Sequence, residues 1–63
     1  MTKKQLKKLA KDLAGLERTI QSSTDAQVIY ESKEKMTRLT ESAQLTLEEM
    51  LQVDELIQNY LQS

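Results

Sequence analysis

Leu6, Leu9, Leu13, Leu16 and Ile20 fall on one narrow stripe when successive residues are placed about 100° apart around an axis. Lys4, Lys7, Lys8, Lys11 and Arg18 lie on the opposite side, and Ala10, Ala14 and Gly15 occupy or flank the margin between. The pattern predicts an amphipathic helix with a buried leucine face and a basic back. Further on, Val28, Ile29, Met36, Leu39 and Ala43 share a face with Ser32 and Thr40 interleaved, which predicts a second helix that contributes only a thin core. The closing segment is richer. Leu47, Met50, Leu51, Val53, Leu56, Ile57, Tyr60 and Leu61 cover well over half a helix circumference, more than one buried stripe requires.

Start signals divide these stretches. A helix must satisfy its first free N–H groups, and a Ser or Thr followed three residues later by Glu or Gln does so reciprocally. Thr2 with Gln5, Thr24 with Gln27, and Thr46 with Glu49 all fit, each opening onto an apolar residue (Leu6, Val28, Met50). Met1 and Leu45 precede the first and third caps, placed to staple against Leu6 and Met50. Three helices over about residues 3–22, 25–43 and 47–62, joined by short turns, describe an all-α antiparallel three-helix bundle forming a single domain over 1–63.

A second reading comes from Ile29, Met36, Ala43, Met50 and Ile57, which keep a strict seven-residue spacing, with Leu39, Val53 and Tyr60 at the intervening heptad position. That pattern would run through Thr46 and give a two-helix hairpin with a long second helix. Half of the long helix would lie uncovered, so such a hairpin would have to dimerise as a helical bundle. Leu45 favours the break, because on a continuous helix it would point away from Met36 and Ala43.

Composition supports helices and narrows the chemistry. With no Pro and one Gly among 63 residues, little interrupts a helix. A chain of this length buries only about 60% of the surface that its unfolded form exposes, and small domains compensate with disulfides, metals or oligomers. The sequence has no Cys and no His. Disulfides, the usual zinc sites and His- or Cys-based nucleophilic catalysis are therefore excluded. A phosphate loop needs several glycines, and Gly15 stands alone within a helical pattern. Glu48 and Glu49 are accounted for by the favourable field at a helix start. No enzyme, cofactor, metal or small-molecule substrate is expected. A cytoplasmic location is expected too, since the Lys-rich opening lacks a signal peptide's apolar stretch and no run approaches the roughly 20 apolar residues of a membrane span.

Charge is graded along the chain. Residues 1–23 carry six basic and two acidic side chains, residues 24–45 three and four, and residues 46–63 none and four, for a formal net charge of −1. The basic and acidic ends can attract one another as bundle neighbours. Alternatively, Lys4, Lys7, Lys8, Lys11 and Arg18 form a docking surface for an acidic partner. Nucleic acid is disfavoured as that partner, because no aromatic side chain lies among the lysines to stack bases and the net charge is not positive.

The apolar excess of the third helix points to an interface. If Met50, Val53, Ile57 and Tyr60 face inward, Leu47, Leu51 and Leu61 form a second apolar edge with Asp54 among them. Tyr30 projects away from its own helix's apolar stripe and joins the candidates, Tyr being enriched at binding hot spots. The stretch Val53-Asp54-Glu55-Leu56-Ile57-Gln58-Asn59-Tyr60 resembles the second helix of the small aspartyl-phosphate phosphatases that regulate sporulation in spore-forming bacteria, helical hairpins whose signature holds an Asp followed by Leu-Ile and a Tyr. The resemblance covers eight residues. Met50-Leu51-Gln52-Val53 replaces the family's Ser-Gln-Glu-Leu, and this chain has an additional amino-terminal helix. The resemblance implies a regulator of a phosphorylated signalling protein that depends on Asp54.

The residues themselves lead to a different first expectation: a small, non-catalytic, regulatory or inhibitory protein–protein interaction module. It would bind another protein, or itself as a homodimer, through Leu47, Leu51, Asp54, Leu61 and Tyr30, with the basic face of the first helix as a secondary surface.

Overall fold

A computed structural model describes residues 1–62. The chain is all-α, a three-helix bundle of α1 (Lys3–Ser22), α2 (Ala26–Ala43) and α3 (Leu47–Gln62).

Two of the three expected capping boxes form. At α1, Thr2 Oγ1 accepts from Gln5 N at 3.2 Å while Gln5 Oε1 accepts from Thr2 N at 3.0 Å. At α3, Thr46 Oγ1 accepts from Glu49 N at 3.2 Å and Glu49 Oε1 accepts from Thr46 N at 3.1 Å. The middle cap moves. Asp25, not Thr24, opens α2, its Oδ1 accepting from Gln27 N at 2.9 Å, while Asp25 N donates to Ser23 Oγ at 3.1 Å. Asp is the stronger N-cap, and the Ser23 bond fixes the turn one residue later than the Thr24 spacing predicts.

The long-hairpin reading is overturned at Gln44. This residue takes the left-handed conformation (φ 51°, ψ 51°) and ends α2, so the heptad from Ile29 to Ile57 is cut in two. Leu45 then folds inward onto the core. The three residues between Ala43 and Leu47 thus act as a terminator, an apolar anchor and a fresh cap.

The core is built on α1. Leu6, Leu9, Ala10, Leu13 and Ala14 of α1 are buried, against Ser32 alone on α2 and Val53 alone on α3. α1 packs against both other helices, whereas among the described residues α2 and α3 do not approach each other at the backbone. The molecule is accordingly flat, 34 × 26 × 16 Å. Met36, Leu39, Ala43 and Leu45 close over the α1 leucines from one side, and Leu56, Ile57 and Tyr60 from the other.

Sitting between two neighbours changes which α1 residues matter. Ala10 and Ala14, assigned from the pattern to the margin of the leucine stripe, are among the best-buried positions, Ala10 at 0% exposure. Arg18 Nη2 donates to the Tyr60 carbonyl oxygen, and Lys3, Leu6 and Lys7 share a cleft with α3 residues. These contacts place α3 on the edge of α1 that carries Lys3, Lys7, Ala10, Ala14 and Arg18, a row with helical i, i+3 and i+4 spacing. The two alanines give α3 room to lie close. Leu16 and Ile20, by contrast, are only half-buried towards the end of α1.

Two substitutions probe this arrangement by thermal unfolding. Gly15 lies in the middle of α1, and a methyl group added at its Cα would meet nothing within 4 Å, so Gly15→Ala is expected to stabilise the protein by about 1 kcal/mol through backbone entropy alone. Ala10→Leu is expected to cost about 1–3 kcal/mol by forcing α1 away from its neighbour. A neutral Ala10→Leu would contradict the two-sided burial of α1.

Candidate functional site

The outward face of α3 is where apolar surface remains. Val53 is buried against α1, with Leu56, Ile57 and Tyr60 half-buried beside it. Leu51 lies about 160° round the helix from Val53 and therefore points nearly straight out. It is 62% exposed, Leu47 one turn before it is 75% exposed, and Met50 is 42% exposed. These three side chains, spaced i, i+3 and i+4, form a contiguous apolar edge over the first turn of α3.

This edge differs in membership from the predicted one. Met50, expected to face inward, is exposed: it lies on the flank of the inward line through Val53, Leu56 and Tyr60, near the helix start. Leu61 is half-buried and lies ten residues beyond Leu51, so it borders the far end of the helix and does not join Leu47 and Leu51. Asp54 is exposed, one turn beyond Leu51 and Met50. Val28, expected on the inner face of α2, is 36% exposed at that helix's edge. Tyr30 is 66% exposed on α2, away from the half-buried line of Ile29, Met36 and Leu39.

Carboxylates border the edge. Glu48 and Glu55 stand on one side of the Leu47–Leu51 row and Asp54 on the other, all three exposed and, among the described residues, in no ion pair. Glu49 behaves differently. Its Oε1 accepts from the Thr46 backbone N–H and its Oε2 meets the Met1 ammonium nitrogen at 2.9 Å. The Thr46 N–H, then the ammonium group, hold its carboxyl below the ordinary glutamate value. Glu49 is thus committed to building the start of α3, and Glu48, Asp54 and Glu55 are left to face whatever approaches.

On α1, Lys4, Lys7, Lys8, Lys11 and Arg18 are all exposed. Lys4, Lys8 and Lys11 form the solvent-facing back, while Lys7 and Arg18 edge the α3 seam, Arg18 through its bond to Tyr60. None of the lysines of α1 makes an ion pair with α3 among the described residues. The cleft between α1 and α3, about 220 Å³, has Leu6 and Leu56 in its floor and Lys3, Lys7, Gln52, Glu55 and Asn59 around its rim. Its polar side chains are exposed to solvent, and none is buried and aimed inward.

Comparison with protein-family models, with curated proteins and with solved structures gives no match.

The geometry therefore stands by itself. It brings Leu47, Leu51 and Asp54 together at the start of α3, adds Met50 to them, and leaves Tyr30 on α2 and Leu61 at the other end of α3 outside that cluster. No signal in the sequence singles out Met50, which lies about 60° from Val53 around the axis, between half-buried Ile57 and Leu61, and is exposed near the start of α3. Among the described residues no helix is long and apolar enough to cross a membrane.

The Glu49 contacts carry a pH dependence. A carboxyl with a lowered value in the folded chain contributes stability that is complete well above 4.5, starts to fade as the unfolded chain's carboxyl protonates near 4.5, and is gone once pH falls through the lower folded value. Glu49→Gln keeps a side chain able to close the capping box but removes this titration. Thermal melts from about pH 6 to about pH 3 should therefore show a shallower loss of stability in Glu49→Gln than in the parent. Identical slopes would remove Glu49 from the acid response.

Proposed function

We propose that this chain is a small non-catalytic interaction module, regulatory or inhibitory in action, that binds a partner through the outer face of α3. The observation that carries the reading is the pair Leu47 and Leu51, at 75% and 62% exposure, on a helix whose other side is anchored by buried Val53. Covering a side chain of this size is worth on the order of 1.5–3 kcal/mol, so two leucines and Met50 provide a usable share of a binding free energy. The supporting helix is held firmly enough to present them: it has a reciprocal cap at Thr46, its inner face meets α1, and the Arg18 side chain bonds to the Tyr60 carbonyl.

The basic back of α1 supports a secondary docking surface. Lys4, Lys8 and Lys11 are exposed without ion-pair partners among the described residues, so they are available to an acidic surface. The same lysines carry the competing reading, a nucleic-acid-associated protein, whose affinity would fall steeply with salt. The reading built on Asp54 as part of a phosphatase-like regulator has less support, because Asp54 is exposed and no neighbouring side chain among the described residues orients it.

Leu51→Glu separates binding from folding. Being exposed, the position should tolerate the change within about 0.5 kcal/mol, with helicity by circular dichroism retained, while partner capture by the immobilised protein falls at least tenfold. Unfolding of Leu51→Glu would make Leu51 a core residue and end the proposal. Retention on heparin and DNA columns tests the competitor: weak low-salt retention, no greater on DNA than on heparin, is expected here from the lysine face, and strong low-salt retention on DNA that is abolished by Lys8→Ala and Lys11→Ala would favour nucleic acid instead.

A further inference from the structure

Granting the α3 surface just proposed, we infer that its partner is a cationic amphipathic helix, an apolar stripe flanked by lysine or arginine, and not a second copy of this chain. The inference comes from what surrounds the leucines. Residues 46–63 contain four carboxylates and no basic side chain. Of the four, Glu49 is occupied by Thr46 and Met1, while Glu48, Asp54 and Glu55 are exposed and bracket the Leu47–Leu51 row from both sides. An incoming helix that buries its own apolar residues on Leu47, Met50 and Leu51 must bring its flanking positions next to these carboxylates. Cations at those positions gain attraction from both flanks at once.

A second copy meets the opposite situation. Three partly exposed side chains supply far less than the roughly 800 Å² that each partner contributes to a standard interface, so a stable homodimer through this edge would have to include its flanks. Pairing two α3 helices about a two-fold axis apposes Glu48, Asp54 and Glu55 of one copy with the same three of the other, with no cation on α3 to offset them. The lysines of α1 relieve this only in part. Lys3 and Lys7 share the cleft rim with Glu55, but Lys4, Lys8 and Lys11 lie on the back of α1, and α3 has no cation of its own to set beside Glu48 and Asp54. Docking that basic back onto α3 of another copy would match charge but offer the leucines no apolar counterpart, and such a head-to-tail contact builds a ring or an open chain of copies, not a two-fold dimer.

The test uses three labelled synthetic peptides of about 18 residues with one shared leucine stripe, flanked by Lys, by Gln or by Glu, titrated by fluorescence anisotropy against the full chain and against Leu51→Gln. Leu51→Gln is chosen because it removes apolar surface without altering charge. The Lys-flanked peptide should bind about tenfold or more tightly than the Gln-flanked one at low ionic strength, with the gap narrowing in about 0.5 M salt. The Glu-flanked peptide should show no binding. Leu51→Gln should weaken the Lys-flanked peptide about tenfold, showing that the leucine edge is the contact. Equal, Leu51-dependent binding of the Lys and Gln peptides would overturn the choice of a cationic partner while leaving the α3 surface standing. Binding of the Lys peptide unaffected by Leu51→Gln would overturn it as mere charge attraction. Absence of binding by every peptide would take the α3 surface down with it. A Leu51-dependent dimer in light scattering of the free chain would also overturn the inference, in favour of self-association.

Discussion

Everything in this fold hangs on the burial of α1 along two adjacent strips. The leucines at positions 6, 9 and 13 and the alanines at 10 and 14 together occupy nearly half of the helix surface, and two other helices are needed to cover them. Because α1 is the shared support, α2 and α3 need not meet at the backbone, and each commits only a narrow inner line: Ser32 is the buried position on one and Val53 on the other. The thinness of those lines has opposite consequences. On α2, polar residues fill most of the remaining circumference, and the exposed Val28 and Tyr30 stand apart from any apolar row. On α3, leucines and methionine continue past the line, and α2, which packs on the neighbouring strip of α1, does not approach α3 at the backbone to cover them.

How much of this could be read in the sequence depends on the kind of signal. Local hydrogen-bonding chemistry was legible: the Thr2 and Thr46 boxes formed as spaced, and the bounds of all three helices follow within one residue of expectation. Where two caps competed, spacing alone misled, since Thr24 matched the pattern but Asp25 has the better acceptor and a Ser23 hydroxyl to fix its own N–H. Periodicity identified the leucine face of α1, yet it could not show that this helix has two neighbours, so Ala10 and Ala14 read as margin. The rotation of α3 was similarly underdetermined. With apolar residues on most of its circumference, several inward lines are compatible with the pattern, and contact with α1 selects the one through Val53; Met50 and Leu61 share a flank of that line, Met50 exposed near the helix start and Leu61 half-buried at the far end.

The charge gradient acquires a meaning that composition alone does not give it. α1 and α3 are neighbours, and Lys3 and Lys7 share the cleft rim with Glu55, but Lys4, Lys8 and Lys11 lie on the back of α1 while Glu48 and Asp54 lie on the outer face of α3, so most of the opposite charge is displayed on different surfaces of the same flat molecule. The attraction between them is long-range and screened, not a set of direct pairs. The carboxylate that does make close contacts, Glu49, belongs to the helix cap. Structure and surface are therefore divided by residue: Glu49 builds α3, and Glu48, Asp54 and Glu55 stand exposed around Leu47 and Leu51.

α3 shows Leu47 and Leu51 to water while α1 hides Leu6, Leu9 and Leu13, and methyl-resolved NMR of the dilute chain with a soluble paramagnetic agent measures this side chain by side chain. Strong relaxation of the Leu47 and Leu51 methyls beside weak relaxation of Leu6, Leu9 and Leu13 is the expected result. Leu51 methyls as shielded as those of Leu13 would contradict the account.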